Sequence, residues 1–109
     1  MGNFINSEKK KIRARLNDVD FMLQDLVEES GMSRSRYIRI FNEAFGTTPM
    51  SYVGELRLKQ AAKMIRNTNK SMKEISKLCG FTDRHYFCHC FKIYYKMTAT
   101  EYRNQMSSK

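Results

Sequence analysis

The sequence predicts an all-α fold of seven helices, and three observations carry that prediction. Breakers are sparse, with one Pro and five Gly in 109 residues, which leaves little punctuation for strands and hairpins. Apolar residues recur at helical rather than alternating spacing. The second half of the chain also repeats the first at an offset of 49 to 50 residues, a period at which repeated supersecondary units are expected.

The first amphipathic segment, roughly residues 5–17, is spaced by Ile5, Ile12, Leu16 and Val19. Asn17-Asp18-Val19-Asp20 breaks it, because Asn and Asp side chains bond to their own backbone in turns. Leu23, Leu26 and Val27 make a short second helix that stops at Ser30-Gly31, with Gly as the C-terminal signal. Ser33 caps a third helix, with Tyr37, Ile40, Phe41, Ala44 and Phe45 on one face, and Gly46 ends it. Thr48 is the expected N-cap of a long fourth helix, with Pro49 at its first position. Tyr52, Val53, Leu56, Leu58, Ala61, Ala62 and Ile65 carry it to about Asn67. Ser71 caps a fifth helix with Met72, Ile75 and Leu78, closed by Cys79-Gly80. Thr82 or Asp83 caps a sixth with Phe87, Cys90, Phe91 and Tyr94 inward, and Thr98 caps a seventh from Ala99 to about Met106 with Tyr102 inward.

The repeat has a mechanical meaning. Leu26 and Gly31 match Ile75 and Gly80 at an offset of 49. After the turn the offset is 50, pairing Arg34 with Arg84, Phe41 with Phe91, Thr48 with Thr98 and Tyr52 with Tyr102. Each copy is a short helix, a Gly turn and a capped second helix, the plan of a helix-turn-helix whose second helix enters a major groove. Residues 1–46 then form the first unit with its leading helix, 47–68 a linker helix, and 69–109 the second unit with the last helix. A linker of roughly residues 49–67 is about 28 Å long at about 1.5 Å per residue. Major-groove segments on one side of B-DNA lie about 34 Å apart, so one chain of this plan can reach two of them.

Charge asks for the same kind of partner. The formal net charge is +9 and the sequence pI about 9.7, which favours a polyanion. Residues 1–54 carry 8 Lys/Arg against 7 Asp/Glu, whereas residues 55–109 carry 12 against 4. The basic excess therefore belongs to the C-terminal half. Three cysteines, Cys79, Cys88 and Cys90, cluster in the last third. An odd cluster of this kind reads as free thiols in a reducing cytoplasm rather than a disulfide framework. No apolar run approaches the roughly 18 residues of a membrane span. The start, Met1-Gly2-Asn3-Phe4-Ile5-Asn6, has neither a secretory pattern nor a good lipidation match.

Several stretches together resemble the DNA-binding domain of the AraC/XylS family of bacterial transcription regulators. They are Asp25-Leu26-Val27, Gly31-Met32-Ser33-Arg34-Ser35, Phe41, Gly46-Thr47-Thr48-Pro49 and Tyr52-Val53. Arg57-Leu58-Lys59-Gln60-Ala61-Ala62, Ile75-Ser76, Cys79-Gly80-Phe81-Thr82-Asp83, Tyr86 to Lys92 and Glu101-Tyr102-Arg103 continue the likeness. The resemblance covers nearly the whole chain. It implies two homeodomain-like helix-turn-helix subdomains joined by a rigid linker helix. The first copy also resembles the output domains that end hybrid two-component sensor proteins. Departures from the family pattern are Val27 for a small Ala, Lys96 and Ala99 for Gly and Pro, and Cys88-His89 for a Ser-Arg pair. The resemblance further implies double-stranded DNA as partner, RNA polymerase as a partner of the full regulator, and a monomeric domain. Such a domain is either a small regulator complete in itself or the tail of a longer one; the tail is expected, because Asn3-Phe4-Ile5 starts a helix abruptly and no ligand domain accompanies it. The residues themselves lead to no expected membrane or cofactor partner.

With Tyr37, Phe41 and Ala44 on the core face, the third helix presents Ser35, Arg36, Ile38, Arg39 and Asn42. Arg39 is the leading base reader, because guanidinium pairs bidentately with guanine O6 and N7. Ser35, Ile38 and Asn42 complete that set, and by resemblance 35, 38 and 39 match the family's base-contacting positions. On the sixth helix the candidates are Arg84 and His85, then Cys88 and His89. Neutral His offers less than Arg at the same place. Phosphate contacts are expected from Arg34, Arg36, Thr48, Arg57, Lys63, Lys73, Lys77, Lys92, Lys96 and Thr98, the two threonines by resemblance and because helix N-termini favour anions. Arg57 has an alternative, a structural bond to helix ends.

Rival chemistries are weaker. His85, Cys88 and His89 stand at i, i+3 and i+4, usable ligand spacing, but no Cys-x-x-Cys accompanies them, and no metal is expected. There is no phosphate-cradling Gly-rich loop, nucleophile elbow or telling carboxylate pair, so no enzyme is expected. The other class of function is a helical interaction module whose basic face binds an acidic protein.

Overall fold

In the computed structural model, which describes residues 2–107, every regular element is a helix. The order is α1 (Gly2–Ala14), α2 (Leu23–Ser30), α3 (Arg34–Phe45), α4 (Pro49–Asn67), α5 (Met72–Leu78), α6 (Arg84–Tyr95) and α7 (Ala99–Ser107). The expected α1 is shifted. It begins at Gly2 and ends at Ala14, with a turn through Arg15 and Asp18 closed by backbone bonds to Ile12 and Arg15. Val19 therefore falls beyond the helix and is 39% exposed.

The caps explain the other boundaries. Ser33, Thr48 and Ser71 each accept from a backbone N–H three residues on, those of Arg36, Ser51 and Glu74, satisfying donors that the first helical turn leaves free. Asp83, rather than Thr82, caps α6 by accepting from the His85 N–H. At α7 the bonds are reciprocal: Thr98 Oγ1 accepts from the Glu101 N–H and the Glu101 carboxylate accepts from the Thr98 N–H, a capping box. Gly31 and Gly46 close α2 and α3 in the left-handed region. At the position equivalent to Gly46, α6 is closed by Lys96 with φ 64°, a conformation that costs a residue with a Cβ about 1–2 kcal/mol.

Two separate hydrophobic cores form. Ile12, Phe21, Leu26, Val27, Tyr37, Phe41 and Val53 make the first. The second joins Leu58, Ala61, Ala62, Ile65, Ile75, Cys79, Phe81, Phe87, Phe91, Ala99 and Tyr102. The helix α4 belongs to both: its N-terminal half closes the first core and its C-terminal half floors the second. The molecule is correspondingly elongated, 47 × 23 × 20 Å.

Matching aromatic stripes lock the second helix of each unit into its core. In α3, Phe45 stacks on Phe41 at 4.0 Å between ring centroids, and Tyr37 lies beside Phe41. In α6 the stripe is Phe87, Phe91 and Tyr95, with Tyr95 on Phe91 at 4.5 Å and near Tyr102 at 5.5 Å. This corrects the expectation for Tyr94, which is 36% exposed. An i, i+4, i+8 stripe turns inward at 95, and Tyr94 is left on the flank. Leu78 is likewise 44% exposed at the end of α5, since Cys79 fills the core at that level.

Candidate nucleic-acid interface

The helices α3 and α6 are both twelve residues long, both follow a short helix and a turn, and both bury only their aromatic stripe. Their outer faces hold the sequence candidates together. Ser35, Arg39 and Asn42 are exposed on α3, and Ile38 is half-buried beside them. On α6, Arg84, His85, Cys88 and His89 are all exposed. None of these eight side chains carries a core contact that would have to break for it to meet a ligand, except that of Ile38 in part.

Turn geometry orients both outer faces. Arg34 donates to Gln24 Oε1 at 2.8 Å, tying the first turn of α3 to α2; the expected phosphate contact at Arg34 would compete with that bond. Arg36 is exposed. A buried pair anchors α3 from the other side: the Tyr37 hydroxyl donates to Glu8 Oε1 at 2.6 Å, and Lys11 Nζ lies 3.2 Å from Glu8 Oε2. Burial, then the bond to Glu8, pushes the Tyr37 hydroxyl well above its ordinary pKa.

Around the second unit the basic residues converge. Lys73, Lys77, Arg84 and His85 line a cleft of about 440 Å³ with Ser76, Phe81, Thr82 and Asp83, at the turn that leads into α6. Lys63, Lys92 and Lys96 are exposed as well. Thr48 Oγ1 accepts from the Ser51 N–H and donates to Ser51 Oγ at 2.8 Å. At Thr98 the backbone N–H is spent on the Glu101 carboxylate. The hydrogen bonds from Thr98 hold that carboxyl below its ordinary pKa, so an anion there meets a charged carboxylate.

Of the two expectations for Arg57, phosphate contact or a structural bond to helix ends, its hydrogen bonds match the structural one. The residue is 9% exposed, and it donates from Nε to the Leu16 carbonyl and from Nη2 to the Asp18 carbonyl, both at 2.9 Å. Burial lowers its pKa while Asp18 opposes the shift. The side-on Nε–Nη2 edge of the guanidinium is thus spent on two backbone carbonyls in a largely buried setting.

Sequence reasoning missed three polar contacts. Glu8 falls on the apolar stripe between Ile5 and Ile12, which is the signal that a buried partner such as Tyr37 awaits it. Arg103 donates to the carbonyls of Ile65 and Thr68 at the end of α4, and Arg66 donates to the Tyr102 hydroxyl. Neither leaves a mark in the spacing of residues. No group of three or more His, Cys, Asp or Glu is placed to hold a metal among the described residues. No helix among them is long and apolar enough to cross a membrane.

A helix-turn-helix domain model matches residues 26–105, spanning both units and the linker. The chain belongs to the AraC-type helix-turn-helix family. It is 34% identical over 90 residues to the transcriptional activator RhaR of Mannheimia succiniciproducens, covering 83% of this chain and 33% of that protein. An HTH-type transcriptional regulator of Haemophilus influenzae is 32% identical over 88 residues, 81% of this chain and 30% of that one. The chain thus spans about a third of the length of these AraC-type relatives. Among solved structures, the C-terminal domain of the response regulator yesN from Fusobacterium nucleatum superposes with a TM-score of 0.89 at 29% identity, over 93% of this chain and 98% of that one. The DNA-binding domain of AdpA, solved with a target DNA, shares the fold with a TM-score of 0.89 at 20% identity, over 94% and 92%.

Proposed function

We propose that this AraC-type domain binds double-stranded DNA sequence-specifically, as the DNA-reading part of a transcription regulator, with α3 and α6 in adjacent major grooves. The observation that carries this is the pair of like helices at the two ends of α4. Each is held by its own core, and each exposes a polar or basic outer face. A second observation supports it. The cleft lined by Lys73, Lys77 and Arg84, with His85 and a single acidic Asp83, gathers net positive charge where α6 would enter a groove, the place at which backbone contacts position a recognition helix. RNA polymerase is the proposed partner of the regulator in which this domain acts, and the domain binds DNA as a monomer.

Ser35, Ile38, Arg39 and Asn42 read the first block, and Arg84, His85, Cys88 and His89 the second. Arg36, Lys63, Lys73, Lys77, Lys92 and Lys96 neutralise phosphate, with Thr48 at the start of α4. Selection of bound duplexes from a random pool tests the reading. Two enriched blocks about one helical turn apart are expected, and a pool without enrichment would point to a protein-binding module instead. Within the selected site, Arg39→Ala is expected to cost about 1–3 kcal/mol in binding and to relax preference at one position. The loss for His89→Ala is smaller; an equal or larger loss, measured by titration at fixed salt, would refute the ranking of the two units.

A further inference from the structure

Two cores that share no buried residue need something besides α4 to hold their relative orientation. The linker carries a glycine where they part. Gly54, between Val53 of the first core and Leu58 of the second, has no atom within 4 Å of the place its Cβ would occupy, so packing does not require glycine there. Glycine also lowers helix propensity. One turn further on, Arg57 reaches back to the carbonyls of Leu16 and Asp18 in the α1–α2 turn. Against this contact lies Gly80, from the α5–α6 turn. A Cβ at Gly80 would stand 2.6 Å from the Leu16 carbonyl oxygen and 2.8 Å from Arg57 Nε. Three segments thus meet at one point: the α1–α2 turn of the first unit, the middle of the linker and the turn of the second unit.

The comparison between the two turn glycines singles out this contact. Gly31 and Gly80 occupy the same place in their units and both have positive φ, 73° and 90°. Around Gly31 the space for a Cβ is open, whereas Gly80 is closed by the other unit's backbone and the Arg57 side chain. Conformation explains both glycines, but close approach explains only Gly80. Arg103 provides a second contrast. It caps the carbonyls of Ile65 and Thr68 much as Arg57 caps those of Leu16 and Asp18, yet it ties α7 only to the end of the linker that floors the second core.

We infer that the Leu16–Arg57–Gly80 contact is a brace that fixes the orientation of the two helix-turn-helix units, making Arg57 and Gly80 positioning residues for the base-pair spacing the domain accepts. The consequence for DNA rests on the two-groove reading; the brace itself does not.

Residual dipolar couplings of the 15N-labelled chain test the brace without DNA. In the unsubstituted protein, in Gly31→Ala and in Arg103→Lys, one alignment tensor is expected to fit both α1–α3 and α5–α7. In Arg57→Lys, which keeps the charge but cannot fork to two carbonyls, the two sets should require different tensors while each unit keeps its own internal couplings. Gly80→Ala should behave alike, and Arg57→Lys decides the matter if Gly80→Ala does not fold. A single tensor for Arg57→Lys would overturn the brace. On duplexes selected by the unsubstituted protein, inserting or removing one base pair between the blocks should weaken binding at least about tenfold, and Arg57→Lys should reduce that penalty to below about threefold. An undiminished spacing penalty in Arg57→Lys would overturn the positioning role. Selection of a single block would overturn that role together with the two-groove reading, and the tensors would still decide the brace.

Discussion

The Tyr37 hydroxyl and the Glu8 carboxylate meet in the first core, with Lys11 on the far oxygen. Removing one partner from a buried pair costs more than the bond itself contributes, because the remaining group stays desolvated. Tyr37→Phe is therefore expected to lower stability by about 1–3 kcal/mol, read as a fall in the urea midpoint with little change in slope. An unchanged midpoint would mean that Glu8 finds water instead. Thiols provide a second test at this scale. Burial pushes Cys79 up to about 11, so at pH 8 it stays protonated, and it is closed to reagent besides. Cys88 is exposed and Cys90 half-buried. A thiol titration at pH 8 should show Cys88 reacting first and Cys79 only after denaturant is added. The linkage has a sign: the unfolded thiol ionises near 8.5 and the folded one does not, so this group withdraws stability as pH rises from there toward 11. Among single residues, the sequence reveals those whose placement depends on their own helix, such as Arg39 or His85, both on exposed outer faces. It hides those that depend on a distant carbonyl. Nothing in the spacing around Arg57 chooses between a phosphate and the Leu16 and Asp18 carbonyls, because the choice is made by a turn forty residues away.

Helix boundaries were legible wherever a side chain enforces them. Ser33, Thr48 and Ser71 cap where Ser and Thr precede an apolar period, and Gly31 and Gly46 close helices as glycine does. The misplaced end was that of α1, where Leu16 continues the apolar period but the backbone has already turned at Arg15. Periodicity registers burial, and Leu16 is partly buried from a turn as readily as from a helix. Tyr94 was misplaced for a similar reason. Both 94 and 95 lie within one turn of Phe91, and the seventh helix, by offering Tyr102, selects Tyr95. The end of α6 carries a prediction of its own. Lys96 holds the left-handed conformation that Gly46 holds in the first unit. Lys96→Gly should therefore stabilise the domain by about 1 kcal/mol, seen as a rise in the thermal midpoint. A loss of stability would mean that the lysine side chain contributes more than its backbone conformation costs.

At the scale of the whole molecule, the duplicated plan was legible because its offset is nearly constant, and the elongated, two-core shape follows from it. The relation between the units was not, since it rests on a close approach of Gly80 to Leu16 rather than on any pattern along the chain. The central claim is that one chain reads two major-groove segments on the same side of DNA. Hydroxyl-radical footprinting of a selected duplex, at a protein concentration giving one chain per duplex, tests it most directly. The account predicts two protected patches on one side of the helix, centred about 10 base pairs apart, both fading together as salt is raised. One patch alone, or two that appear only when a second chain binds, would contradict it.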